Sequence, residues 1–258
     1  MLDTLCKLER GYAAYFKEND SAWLDKEQKI CLDEIGHKKL ILASSTCGSL
    51  SYHHSMSALR DARRFDSGLV HWADFRLSME YKRFVFSLEA SDGRVEEVGN
   101  TYSLAKRIAL LLYGLLTDRR DIVEVHYPVI RRFMQSDYDR SYPGYDALYI
   151  LHVVARAQGE EFPHADLGPY RFAFEPAEQD DEFQAQLTEA IEQHIRLSKG
   201  EGPYYTPVNV IPLDILYCLK LCGKKTATEL DKMLEQISSF GYEFDDVTEE
   251  IEVMIATI

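Results

Sequence analysis

Apolar residues recur at helical spacing along almost the whole chain, and this pattern limits the fold more than any other feature. From Leu5 to Phe16 the apolar positions follow the i, i+3, i+4, i+7 rule, which places them on one face of a helix. Later segments repeat the spacing, with Ser or Thr at the starts and Gly or Pro at the joints. No repeat of fixed length emerges. The sequence therefore predicts an all-α fold, an irregular multi-helix bundle whose helix pairs could stack as in an α-solenoid.

Single helices can be predicted from the same spacing. The segment from Leu104 to Leu116 is apolar nearly all round, so we expect it at the centre of the fold. A long helix should end at the turn residues that follow Ala90, Ser91-Asp92-Gly93. Thr226 or Thr228 should cap another. Pro128 lies inside a further predicted helix, where we expect a kink or a break.

The stretch from Gly159 to Pro176 interrupts this pattern. It contains three prolines, and Tyr170 to Phe174 alternate at period two, which is typical of a loop or a short extended piece. The charge balance changes at the same place. We therefore divide the chain into a charge-balanced helical part, 1–159, and an acidic helical part, 160–258, within one compact domain.

The net charge of the chain lies entirely in the second part. Of the 43 acidic and 29 basic residues, 22 of each occur up to Gly159, and the remaining 21 acidic residues face only 7 basic ones. Two stretches without Lys or Arg carry the excess: Glu175, Glu178, Asp180, Asp181, Glu182, Glu189 and Glu192, then Glu243, Asp245, Asp246, Glu249, Glu250 and Glu252. Such a field attracts a basic partner and repels nucleic acid or an anionic membrane. Acidic helix faces also serve solubility alone, so that alternative stays open.

Composition bounds the compartment. No window approaches the roughly eighteen uncharged apolar residues of a membrane span, and the N-terminal residues lack the basic head of a signal peptide. Five cysteines without a framework spacing indicate reduced thiols in a cytoplasm. Cys218 and Cys222 are four residues apart, but their apolar setting favours core packing over a metal or redox pair. We expect a cytoplasmic protein that does not bind a membrane.

The sequence carries none of the common catalytic motifs. Walker-type glycine loops, G-x-G-x-x-G, H-E-x-x-H and G-x-S-x-G are all missing. His53, His54 and His71 lie near acids such as Asp74, but adjacent histidines on a helix diverge and no pair has zinc-site spacing. We therefore expect no enzyme, no catalytic residues, no cofactor and no metal. An enzyme assembled from scattered residues such as His53, His71 and Asp74 is the weakest alternative.

Tyrosines accumulate around the predicted loops. Tyr170, Tyr204 and Tyr205 could supply rigid contact area with a polar tip, which suits a protein interface. Packing between helices is the alternative for all three.

Two segments resemble the immunity protein 49 family of bacterial polymorphic toxin systems. One is the apolar helix Ser103 to Asp121, which closes with a charged Asp-Arg turn, and the other is Phe183 to His194. The resemblance covers about an eighth of the chain and implies a stoichiometric inhibitor that binds and neutralises a cognate toxin. The closing part of that family is not recognisable here.

The residues suggest how such an inhibitor would work. A basic toxin would approach an acidic partner quickly, and aromatic and carboxylate side chains would then occlude its active cleft. The predicted partner-binding residues are Glu175, Asp180, Asp181, Glu182, Glu243, Asp245 and Asp246, with Tyr170, Tyr204 and Tyr205 as anchors. This hypothesis needs the two acidic stretches to form one continuous patch. The rival is a helical scaffold or regulatory module that docks a protein other than a toxin.

Overall fold

The computed structural model describes eight stretches of the chain: 21–59, 70–93, 101–136, 148–162, 165–198, 211–226, 228–240 and 246–258. Every regular element in them is a helix, which confirms the all-α prediction. In chain order they are α1 (Ser21–Gly36), α2 (Leu40–Leu59), α3 (Trp72–Ser91), α4 (Thr101–Leu116), α5 (Arg120–Gln135), α6 (Leu148–Ala157), a 3₁₀ helix (Gly168–Ala173), α7 (Asp180–Ser198), α8 (Leu213–Cys222), α9 (Glu229–Ser238) and α10 (Asp246–Ala256). Among the helices of these stretches, none combines the length and apolar character required to span a bilayer.

The main hydrophobic cluster surrounds α4. Almost every described side chain from Leu104 to Leu116 is buried, as its all-round apolar sequence predicts. The chain reverses sharply after α4, and Lys220 of α8 donates hydrogen bonds to the carbonyl oxygens of Leu115 and Leu116 at 2.9 and 3.1 Å. The last carbonyls of a helix have no partner within the helix, so a lysine can donate hydrogen bonds to them. Its positive charge also interacts favourably with the negative end of the helix dipole. Lys220 thus fixes α8 against the end of the central helix.

A second, smaller cluster lies between α1, α2, α3 and α10. Helix α3 contributes to both clusters and separates them. Its residues Phe75, Met79 and Phe86 belong to the main cluster, and Tyr81 and Phe84 belong to the smaller one. Helices α2 and α3 form the most extensively packed pair. The main cluster contains residues from both sides of Gly159, so the change in charge balance there does not coincide with a division of the core.

Of the kink or break predicted at Pro128, the break is wrong. Helix α5 runs without interruption from Arg120 to Gln135 with Pro128 inside it. Proline removes one helical hydrogen bond and displaces the carbonyl of Glu124, four residues earlier. Both residues lie on the exposed face of α5, where water can take up the freed carbonyl.

The period-two alternation from Tyr170 to Phe174 also misleads. These residues belong to the 3₁₀ helix and its C-terminal end, and do not form an extended piece. Gly168 starts the turn at a φ of 47°, and Pro169 follows with its φ already suited to a helix. Tyr170, Phe172 and Ala173 are buried, so tertiary packing selects this short helix.

We expect Gly168→Ala to destabilise the fold by about 2–3 kcal/mol, from left-handed backbone strain and overpacking together. An added Cβ would lie 2.8–3.0 Å from ring atoms of Tyr149. Gly159→Ala is the matched control, since Gly159 has a φ of 77° and open space around it. Urea unfolding of both variants measures the difference. Equal decreases in the free energy of unfolding of the two variants would show that the Tyr149 ring moves aside at little cost.

Candidate functional site

The first acidic stretch lies at the start of α7 and just before it. Asp180, Asp181 and Glu182 form the first turn of this helix, where carboxylates interact favourably with the helix dipole. The buried face of α7 begins with Phe183 and continues through Leu187 into the main cluster. This packing fixes the helix and leaves its first turn in solvent.

Five carboxylates of this stretch define the α7 acidic surface: Glu175, Glu178, Asp180, Asp181 and Glu182. All five side chains are exposed. Within the described residues, Asp180, Asp181 and Glu182 make no ion pair, whereas Glu175 lies 3.6 Å from Arg156. Further along α7, Glu189 lies 3.5 Å from Arg171 and is partly neutralised. The unopposed negative charge is therefore concentrated at the beginning of α7.

The segment that leads into α7 is held in place by two side chains. Gln186 of α7 accepts a hydrogen bond from the backbone N–H of Ala177 at 3.0 Å and donates one to the carbonyl of Glu175 at 3.3 Å. Lys224 donates to the carbonyl oxygens of Ala177 and Glu178, and its ammonium lies 4.9 Å from the centre of the Phe183 ring. These bonds fold the chain back on α7, so the carboxylates are carried on an ordered backbone.

Tyr170 does not belong to this surface. The prediction of an interface anchor is wrong for this residue, because its side chain is 0 % exposed. Its hydroxyl donates a hydrogen bond of 2.6 Å to Oδ2 of Asp214 on α8. A buried tyrosine needs a partner for its hydroxyl, and here Asp214 provides it.

Asp214 is the centre of a buried polar cluster that the sequence did not reveal. Nδ1 of His194 on α7 lies 2.8 Å from Oδ1 of Asp214, at an angle outside hydrogen-bond geometry, and both side chains are 2 % exposed. Burial opposes ionisation of Asp214, but the electrostatic attraction of His194 and the hydrogen bond from the hydroxyl of Tyr170 outweigh it and hold the pKa of Asp214 below its usual value. The cluster ties α7, α8 and the 3₁₀ helix together.

A small cavity lies beside this cluster. Its volume is about 20 Å³, and apolar side chains of α4 such as Ile108 and Leu112 line it together with His194 and Asp214. That volume fits a single water molecule. In sequence, Asp214 stands among apolar residues at the beginning of a helix, and an acid in such a setting is the only signal that could have indicated a buried polar partner.

The described members of the second acidic stretch lie on α10. Helix α10 begins at Asp246, whose side chain lies outside the described residues, as do the anchors Tyr204 and Tyr205 and the carboxylates Glu243 and Asp245. Glu249 and Glu250 are exposed. Glu252, which the sequence places in the same acidic run, instead pairs with Arg83 of α3 through two hydrogen bonds.

The helices that carry the two acidic stretches pack on different parts of the fold. Helix α7 packs on the 3₁₀ helix and α8, whereas α10 packs on α3 and α1. Ile251 of α10 belongs to the smaller cluster, and Phe183 of α7 to the main one. The α7 acidic surface is therefore the candidate site by itself, and its support does not depend on α10.

Glu252 is the outer member of a buried network of charges. Glu80 of α3 accepts a hydrogen bond of 2.8 Å from Arg119 and another of 3.0 Å from Arg83. Arg119 also forms a bidentate pair with Asp121 at 2.7 and 2.9 Å. Because buried charges persist only when they are paired, the network joins α3, the start of α5 and α10.

Lys82 contrasts with this network. Its side chain is 4 % exposed, and its Nζ has no hydrogen-bond partner among the residues that the structure describes. Burial, with a smaller effect from the charge of Lys106, lowers the pKa of Lys82 to about 7. The folded protein thus disfavours the charged form of this amine.

His53 and His54, two of the histidines named in the sequence analysis, lie in contacts between helices. Nδ1 of His54 lies 2.8 Å from Oδ1 of Asp74, and its ring stacks on Tyr81, while His53 stacks on Trp23. These contacts join α2 to α3 and α1. In the described part of the chain, no group of three or more His, Cys, Asp or Glu side chains is arranged to hold a metal ion.

Comparison of the chain with protein-family models, with curated proteins and with solved structures finds no match. The resemblance to the immunity protein 49 family therefore stays a prediction.

Proposed function

We propose that the protein is a cytoplasmic immunity-type inhibitor, which binds a basic antibacterial toxin through the α7 acidic surface and occludes the toxin's active cleft. The observation that supports this most is the exposed first turn of α7. Asp180, Asp181 and Glu182 project three carboxylates from an ordered helix, and none of the three makes an ion pair within the described residues.

Helix stability alone accounts poorly for this charge density. One or two acids in a first turn already complement the helix dipole. Three adjacent exposed carboxylates, with Glu178 just before them, bring more negative charge to this end of α7 than the dipole requires, and a cationic partner would be attracted to it. Complementary charge chiefly accelerates association, and side chains in the contact then determine how long the complex lasts.

The test is the association rate with the natural partner, recovered by co-purification from the native host and identified by mass spectrometry. The triple variant Asp180→Lys, Asp181→Lys, Glu182→Lys should associate about ten-fold or more slowly at low salt. High salt should lower the association rate of the unmodified protein and remove most of the difference between the rates of the two proteins. Stopped-flow fluorescence measures both rates.

A matched variant separates position from net charge. Asp25, Glu124 and Glu235 are exposed carboxylates on α1, α5 and α9, and their change to Lys alters the net charge by the same amount. This control should retain most of the association rate. Equal slowing of both variants, or of neither, would contradict the role of the α7 acidic surface. Recovery of a partner that is not a toxin would contradict the inhibitor half of the proposal and favour a scaffold or regulatory module.

A further inference from the structure

Two cysteines on neighbouring helices touch each other inside the smaller hydrophobic cluster. Sγ of Cys31 on α1 lies 3.3 Å from Sγ of Cys47 on α2, and both side chains are completely buried. A disulfide has a sulfur–sulfur distance of about 2.05 Å, so an approach of little more than 1 Å would bring the two atoms to bonding distance. The spacing of five scattered cysteines in the sequence gave no sign of this pair.

The two helices are held in register around the pair. Thr46 of α2 donates a hydrogen bond of 2.8 Å to Glu34 of α1, three residues beyond Cys31. Ile35 and Ala43 are buried in the same cluster between the two helices. Since the backbone on each side of the thiols is restrained, the two sulfur atoms spend most of their time close together.

We propose that Cys31 and Cys47 are a disulfide-forming pair, which a two-electron oxidant such as a peroxide converts into a covalent link between α1 and α2. One thiol, as thiolate, attacks a peroxide oxygen, the O–O bond breaks, and a sulfenic acid and water form. The second thiol then attacks the sulfenic sulfur, its proton leaves with the departing hydroxide as a second water, and the S–S bond forms. Two thiols lose two electrons, and one peroxide accepts them.

Access to the thiols sets the rate. The pKa of Cys47 is raised well above its usual range by its contact with the Cys31 thiol, by burial and by nearby negative charge. The thiolate is therefore rare while α1 and α2 are packed together. Oxidation therefore proceeds when α1 separates locally from α2, as peripheral helices do well below the global unfolding transition. The link should form slowly in native buffer and faster at low, non-unfolding urea concentrations.

The link would close a loop between positions 16 residues apart in the chain. Loop closure of this size in the unfolded chain raises the melting temperature of a protein of this length by roughly 5–10 °C. Helix α1 should also gain protection against hydrogen exchange, because its separation from α2 is restricted.

The experiment uses the full chain with Cys6, Cys218 and Cys222 changed to Ala, so that Cys31 and Cys47 are the only thiols. After hydrogen peroxide treatment, we expect intact-mass spectrometry to show loss of two hydrogens, reversible by dithiothreitol, and the melting temperature to rise. Cys47→Ala and Cys31→Ala in the same background are the controls, and neither should gain stability on oxidation. Comparing the oxidised and reduced forms of each variant cancels any cost of the substitution itself.

Two outcomes would overturn the proposal. In one, both thiols still react with a maleimide after peroxide treatment and unfolding. In the other, the link forms but the melting temperature does not rise, which would mean that the native helices cannot accommodate it.

Discussion

Replacement of Lys82 by Met should raise the free energy of unfolding by about 2–4 kcal/mol near neutral pH. The folded-state pKa of Lys82 is lowered to about 7 from a usual value of 10.5, and each unit of such a shift corresponds to about 1.4 kcal/mol. Because the folded state disfavours the charged amine, Lys82 destabilises the fold wherever the unfolded chain keeps its proton. Methionine fills a similar volume without the charge.

The pH dependence identifies this mechanism. The penalty from Lys82 is fully present below about pH 7 and disappears as the pH rises towards the unfolded value of about 10.5. Denaturant titrations should therefore show that the difference in the free energy of unfolding between Lys82→Met and the original protein becomes smaller as the pH rises. Lys29→Met, at an exposed position on α1, is the control and should have almost no effect. A Lys82→Met variant less stable than the original protein would mean that the amine has a stabilising partner.

Replacement of Asp214 by Asn should cost about 2–3 kcal/mol at neutral pH, the usual penalty when a buried hydrogen bond to a charged group is lost. The change puts a neutral amide in place of the carboxylate that lies 2.8 Å from Nδ1 of His194. Tyr170 loses a charge-assisted hydrogen bond of 2.6 Å at the same time. Because these groups connect α7, α8 and the 3₁₀ helix, hydrogen exchange should accelerate in α7 as well.

The direction of the pH effect is opposite to that of Lys82. The pKa of Asp214 is lowered in the folded state, so its contribution is fully present above the unfolded pKa of about 3.8 and is lost as the pH falls through the folded value. The stability gap between the original protein and Asp214→Asn should thus shrink in acid. Asp25→Asn, at an exposed position, is the control. A gap that is constant from neutral to acidic pH would show that Asp214 acts through packing and not through its charge.

Local sequence signals were sufficient for much of the helical framework. The apolar run from Leu104 to Leu116 identifies the central helix because a helix apolar on all sides can only be stable when it is surrounded by others. Thr228 caps α9 as its position predicts, and its hydroxyl accepts a hydrogen bond from the N–H of Leu230 at 3.2 Å. Ser91 to Gly93 end α3 as expected. In each case the deciding interaction lies within a few residues along the chain.

The errors occur where distant residues decide the outcome. Tyr170 lies in a predicted loop of the sequence, but in the structure it is buried, and its hydroxyl donates a hydrogen bond to Asp214, 44 residues away. Glu252 is one acid of a run, but Arg83, 169 residues away, pairs with it. Periodicity and composition carry no information about such partners.

The candidate site divides in the same way. The exposure of Asp180, Asp181 and Glu182 could be predicted, because their sequence positions precede the first apolar residue of α7, Phe183. The support of that surface by Lys224 and Gln186 could not, since it depends on how the chain folds back on the helix.

Hydrogen–deuterium exchange of the complex with the co-purified partner locates the binding surface directly. If the α7 acidic surface is the contact, the amides from Glu175 to Gln186 should exchange more slowly in the complex than in the free protein. The exposed side of α10, around Glu249 and Glu250, should be unchanged. Protection confined to α10 or to other helices, with no change at the start of α7, would contradict the account.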